Sequence, residues 1–156
     1  MTPSGPPEVL VDASVVVKWE LSSEAFAAEA RELLEDWNHG VIRVGTSDQL
    51  PLEVTSALPS VCRKHPPRLT RQQSLQALGW ITLLPFRYRP TRRRRLLRRA
   101  FVIAHRFNQR VYDCVYVALA EEEGLEFWTG DQRLFNALSS SCPLIRWIGG
   151  YVRRRP

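Results

Sequence analysis

VLVDASVVVKWEL, from Val9 to Leu21, begins with three apolar residues, breaks on an acid and continues as a helical run. Val9–Val11 reads as a short strand ending at Asp12, and residues 14–21 read as helix. The same unit recurs along the chain. A second helix is expected from Ser22 or Ser23 to Gly40, with Phe26, Ala30, Leu33, Leu34 and Trp37 on one stripe. A strand follows at Val41–Val44, then a helix over 48–63 that Pro59 should kink or end in its last turn. Pro66-Pro67 marks a loop, Thr70 caps a helix to Gly79, and Ile81–Leu84 reads as a third strand. Helices over 91–108 and 112–123, a strand at Glu126–Thr129, a helix at Asp131–Leu138 and a strand at Leu144–Ile148 complete the series.

Short, almost wholly apolar strands separated by helices predict an α/β fold with a central, mostly parallel sheet of four to five strands, covered by helices on both faces. One domain spans 9–148, with no internal repeat, and residues 1–8 and 149–156 are expected as flexible termini. In such folds ligands bind outside the carboxyl ends of the strands. The chemistry should therefore lie at the strand ends.

Charge is distributed unevenly. The net charge is +6, yet residues 1–60 hold 3 basic and 10 acidic side chains, residues 61–112 hold 14 basic and no acidic ones, and residues 113–156 hold 5 and 6. Every basic residue but Lys18 and Lys64 is arginine. A basic middle third without counter-charge points to an anionic partner, nucleic acid first. Around a helical wheel, Leu96, Leu97, Ala100, Phe101, Ile103, Ala104 and Phe107 share one side of helix 91–108. Arg92, Arg94, Arg95, Arg98 and Arg99 lie on the other and are candidate RNA contacts. Two other uses stay open for them: pairing with the acidic first 60 residues or with Glu121–Glu123, and contact with an acidic partner segment.

Cys62, Cys114 and Cys142 are an odd, scattered set without metal-ligand spacing, which excludes a disulfide framework and a structural zinc site. His39, His65 and His105 form no cluster. The first residues carry no signal-peptide pattern and no apolar run approaches membrane-spanning length, so a cytoplasmic protein is expected.

Two acids fall at strand ends, Asp12 and Asp131. Asp113 opens a helix apolar on nearly every side, and Glu53 sits among apolar neighbours one turn into its own helix. Taken singly, Asp113 and Asp131 read equally as N-caps, Glu53 as part of a solvated face and Asp12 as a loop acid. Together, four carboxylates at one crevice repel, by about 4 kcal/mol for a pair ~4 Å apart near a protein surface, unless a cation neutralises them. Oxygen donors without His or Cys select a hard ion, Mg²⁺ or Mn²⁺.

The stretches Val9–Leu21, Pro51–Leu58, Val111–Ala120 and Phe127–Leu134 resemble, in order and separation, the motifs of the PIN-domain nucleases, and within them the VapC-type ribonuclease toxins. The resemblance covers about 9 to 148. It implies a PIN-like three-layer sandwich with Asp12 and Asp113 as principal metal-binding acids, Glu53 and Asp131 completing the catalytic quartet, and Ser14 and Thr129 as hydroxyls shaping the site. It also implies a Mg²⁺- or Mn²⁺-dependent endoribonuclease that hydrolyses RNA with a metal-activated water, forms a homodimer and is held inactive by a small cognate antitoxin. Many relatives carry Asn where this chain has Ser56, a shorter side chain without an amide. The alternative is a non-catalytic PIN-like module that binds RNA or an antitoxin. A phosphoaspartate phosphatase is disfavoured because Ser14 stands where its second Asp is needed. A receiver domain would need paired acids after the first strand and a late Lys.

Overall fold

The computed structural model describes residues 5–154. Five strands, β1 (Glu8–Val11), β2 (Arg43–Ser47), β3 (Arg87–Arg89), β4 (Glu126–Thr129) and β5 (Ile145–Trp147), form one sheet in the order β3-β2-β1-β4-β5, with every neighbouring pair parallel. Seven helices connect or flank them: α1 (Ala13–Val16), α2 (Ala27–Asn38), α3 (Leu50–Cys62), α4 (Arg71–Leu83), α5 (Arg94–Phe107), α6 (Val111–Glu123) and α7 (Gln132–Leu138). This is the expected α/β sandwich.

Alternation along the strands divides the interior into two cores. Val9, Val11, Val44 and Trp128 face one layer, filled from α1, α2, α3 and α4 by Val15, Val16, Leu33, Leu50, Val54 and Ile81. Leu10, Phe127 and Ile145 face the other, filled from α5, α6 and α7. The chain leaves β1 for β2 and β3, then returns through α5 and α6 to β4 on the far side of β1. That reversal puts a crevice at the carboxyl ends of β1 and β4, the position at which such sheets bind ligands.

The third strand is not Ile81–Leu84. Those residues end α4, which starts with a full capping box between Thr70 and Gln73 and continues past Gly79. Ser74, Ala77 and Ile81 are its buried face. The true β3 is Arg-Tyr-Arg, an edge strand paired only with β2. Its arginines answer an acid of the first strand: Glu8 meets Arg87 at 3.4 Å and Arg89 at 2.5 Å. The Arg89–Glu8 pair lies directly over Gly45, where a Cβ would stand 2.5 Å from Arg89 Nη1.

Helix α2 starts at Ala27 rather than at Ser22 or Ser23. Lys18 Nζ donates to Glu24 Oε2 and to the Ala25 carbonyl, both at 3.1 Å, and Phe26 takes a left-handed φ of 64° that breaks the helix before Ala27. Pro59 does not end α3, which continues to Cys62; the proline lies on the exposed side. Residues 149–154, expected as a mobile basic tail, are held in place. Tyr151 is buried and its hydroxyl donates to Asp36 Oδ2 at 2.7 Å, and the Arg154 N–H donates to the same oxygen at 2.8 Å. Residues 1–4 of the expected lead-in and 155–156 lie outside the described residues. The three cysteines are free. No helix among the described residues is long and apolar enough to cross a membrane.

Candidate active site

Asp12 follows β1 directly and caps α1. Its Oδ1 accepts from the N–H groups of Ser14 at 3.0 Å and Val15 at 3.3 Å, and from the Ser14 hydroxyl. Its Oδ2 accepts from the Thr129 hydroxyl at 2.6 Å. The parallel register, Val11 opposite Trp128, sets Thr129 level with Asp12 across the strand pair. Ser14 Oγ in turn accepts from the Gly130 N–H at 2.7 Å, and Thr129 Oγ1 accepts from the Asp131 N–H at 3.1 Å. The two loops at the crevice are thus joined through two hydroxyls.

Only glycine fits at 130. A Cβ there would stand 2.9 Å from the Ser14 carbonyl oxygen and 2.8 Å from Lys18 Cε. Gly130→Ala is expected to cost roughly 1–3 kcal/mol, the usual range for overpacking, and to push the Asp131 loop away from Asp12. Urea unfolding checks this, and a variant as stable as wild type would refute the close approach.

Glu53, in the first turn of α3, accepts at Oε2 from the Tyr116 hydroxyl at 2.6 Å, so it is not part of a solvated face. Tyr116 is one turn beyond Asp113 on α6, and its ring stacks on Phe127 at 5.3 Å. Asp113 is half-buried and caps nothing: the N-cap of α6 is Arg110, which makes no side-chain capping bond. Asp131 is an N-cap, accepting at Oδ1 from the N–H groups of Arg133 at 2.9 Å and Leu134 at 3.1 Å. Its capping role leaves Oδ2 outside those bonds. Ser56 is exposed one turn beyond Glu53.

The four acids share one field. Burial pushes Asp12 up to about 6, against the hydrogen bonds of Ser14 and Thr129, and the Asp113 charge adds to the rise. Burial pushes Glu53 up to about 7, against the Tyr116 hydrogen bond, with the charges of Asp12 and Asp113 adding to it. Asp113 is raised by burial and by the Asp131 charge, and Arg110 opposes this. The acids converge on the crevice without closing on a common point: among the described residues, no group of three or more His, Cys, Asp or Glu side chains is placed to hold a metal ion.

Tyr116, Lys18 and Arg110 were not singled out from the sequence. The signal for Tyr116 is a hydroxyl at i+3 from Asp113 on a helix otherwise apolar around it. Lys18 is buried, and its stem passes over Gly130 beside Ser14.

The arginine surface is partly paired within the chain, one of the uses its sequence leaves open. Arg99 pairs with Glu121 at 2.6 Å and Arg93 with Glu122 at 2.8 Å, which ties the arginine-rich end of α5 to the far end of α6 from Asp113. Among the described residues, Arg92, Arg94, Arg95 and Arg98 take part in no ion pair. Only part of the helix's apolar side is covered: Leu96, Ala100, Ile103 and Ala104 are buried, whereas Leu97 is 42% and Phe101 62% exposed.

A family model of the PIN domain matches residues 9–139. Among solved structures, PAE2754 from Pyrobaculum aerophilum is similar with a TM-score of 0.64 at 19% identity, over 95% of this chain and 90% of that one. VapC20 of Mycobacterium tuberculosis, a sarcin-ricin loop cleaving toxin, is similar with a TM-score of 0.58 at 17% identity, over 95% and 99% of the two chains. A chain of a toxin-antitoxin complex from Klebsiella pneumoniae is similar with a TM-score of 0.53 at 17% identity, over 88% and 95%. No curated protein matches the chain. The structural likenesses carry the fold, and the family match spans the segment from β1 through α7 that holds all four acids. On both grounds, the chain belongs to the PIN-domain family.

Proposed function

We propose that this protein is a divalent-metal-dependent endoribonuclease, the toxin of a toxin–antitoxin pair. The observation that carries the reading is the buried Asp12, held by Ser14 and Thr129 at the strand crossover and sharing its electrostatic field with Asp113 and Glu53. PIN-family membership supports nuclease chemistry, and the likeness to an RNA-cleaving toxin and to a toxin-antitoxin complex supports the RNA substrate and the small cognate antitoxin. In this reading the protein acts as a homodimer, and the exposed Leu97 and Phe101 supply apolar surface that a second chain would cover.

The residues fit a hard cation by donor chemistry. Oxygen donors dominate the crevice, burial makes their negative charge costly, and the Asp113 carboxylate accepts no hydrogen bond within the chain among the described residues. Asp12, Asp113, Glu53 and Asp131 would hold Mg²⁺ or Mn²⁺, which when bound neutralises that charge, polarises a phosphodiester and lowers the pKa of water. Ser14 and Thr129 orient Asp12. Tyr116 holds Glu53 facing the crevice. Arg110, beside Asp113, offers positive charge to a phosphate.

RNA cleavage with Mg²⁺ or Mn²⁺, with and without EDTA, tests the proposal. Cleavage abolished by EDTA is expected. Salt-sensitive RNA binding that ignores EDTA, without cleavage, would instead mark a non-catalytic module.

Stability should follow the same carboxylates. Asp12 and Glu53 are raised above their ordinary values, so without metal the folded protein binds more protons than the unfolded chain between about pH 4 and pH 7, and stability falls as pH rises through that window. Asp12 alone makes the loss on the order of 3 kcal/mol. A cation competes with those protons, so added Mn²⁺ should raise the melting temperature strongly at about pH 8 and little at about pH 5. Thermal unfolding at both values checks it, and an equal rise at both would contradict it.

A further inference from the structure

A groove of about 490 Å³ opens from the crevice between α1, the end of α3 and the start of α7. Ser14 and Asp131 line its inner end, and Lys18, Lys64 and Arg133 line its walls. Its volume is within the range of sites that hold a ligand of nucleotide size. One acid in it, Glu24, faces three cations: Lys18 at 3.1 Å, Lys64 at 3.8 Å and Arg68. One carboxylate among three positive groups leaves local positive charge, and Arg133, without any ion pair of its own among the described residues, offsets the second lining acid, Asp131, so that the groove remains net positive. Lys64 and Arg133 are exposed and accessible to a polyanion.

The arginines of α5 are less well placed. Glu122, which anchors Arg93, lies nine residues after Asp113 on α6, about 13 Å farther along the helix axis. Their charge is greater, but it sits at the end of the α5–α6 pair remote from the acids. The groove is continuous with the acids themselves, because Ser14 both lines it and bonds Asp12.

We infer that the groove bounded by Lys18, Lys64 and Arg133 is the track for the single-stranded substrate, and that Lys64 and Arg133 bind a backbone phosphate next to the one cut. Lys18 is a positioning residue: tied to Glu24 and the Ala25 carbonyl, it fixes the wall on which Glu24 holds Lys64. The inference rests on the ribonuclease reading and deepens it.

The test is fluorescence anisotropy of a labelled single-stranded RNA, in EDTA and over a series of salt concentrations. Wild type is compared with Lys64→Ala/Arg133→Ala and with Arg94→Ala/Arg98→Ala. All four side chains are exposed, so the variants should fold, and Lys64→Glu alone gives a second, single-site probe. The groove pair should weaken binding about tenfold or more and lower the salt slope by about 0.7, the loss of one single-strand phosphate contact, while the α5 pair stays within about twofold of wild type. Lys64→Glu should weaken binding as well. Groove variants that bind as wild type, or an α5 pair that loses more than the groove pair, would overturn the inference. Cleavage is read separately with Mn²⁺. A protein that binds RNA through the groove yet cuts none defeats the nuclease reading and leaves the groove as the RNA-binding site. One that cuts RNA as well with the groove variants as without them does the reverse.

Discussion

Asp113→Ala should lose RNA cleavage by about 10²–10³-fold or more, the scale set by removing one electrostatic element of a catalytic site, while the protein stays folded. The side chain supports no N-cap and accepts no described hydrogen bond, so its removal breaks nothing that holds α6 in place. What it removes is charge. Asp113 raises Asp12 and Glu53, and is itself raised by burial and by Asp131. Without metal and above neutral pH, the variant should therefore be more stable than wild type, by about 1 kcal/mol for relief of partly screened repulsion. Opposite signs on activity and stability separate a functional acid from a structural one. Cleavage assays beside calorimetry read both. A variant that cuts as well as wild type would remove Asp113 from the chemistry, and one that melts far lower would make it a structural residue.

Phe127→Ala should lower stability by about 3–5 kcal/mol, the usual cost of deleting a buried aromatic ring. That is a large share of the roughly 5–15 kcal/mol that holds a domain folded. Phe127 is fully buried, lies on β4 between β1 and β5, and fills the core on the α5–α7 face of the sheet. Tyr116 stacks on it with the rings 13° from parallel. The cavity therefore opens behind the tyrosine whose hydroxyl holds Glu53, and cleavage per folded molecule should fall as well. Urea unfolding gives the first quantity, and cleavage corrected for the folded fraction gives the second. A loss below about 1 kcal/mol would mean that the layer repacks around the missing ring.

What the sequence made legible was whatever depended on burial. β1 and β4 are mostly buried because they lie inside the sheet with helices over both faces, and α6 reads as buried because it is. β3 escaped notice for the opposite reason. An edge strand is defined by backbone pairing on one side, so Arg87 and Arg89 can be charged, while the apolar Ile81–Leu84 belongs to the end of a helix. The start of α2 differs from the expected one because two serines offer good caps, but Lys18, six residues before Glu24, pins the segment ahead of Ala27. The tail was misread because its anchor, Asp36, is a buried acid on the face of a helix, and nothing local marks it as the partner of Tyr151. At the crevice, the acids and hydroxyls were readable as motifs. Tyr116 was not, since its role exists only once α3 and α6 are brought together. The arginine helix was readable as a charge pattern, but its distance from the acids follows from the antiparallel pairing of α5 with α6.

The order of the strands also has a consequence for synthesis. β1 is made first yet occupies the middle of the sheet, and its neighbour β4 arrives more than a hundred residues later. On a ribosome, Asp12 and Glu53 are made well before the Thr129 hydroxyl that holds Asp12 and before the acids Asp113 and Asp131. The carboxylate crevice therefore has no existence in a nascent chain until β4 and the turn after it have been made.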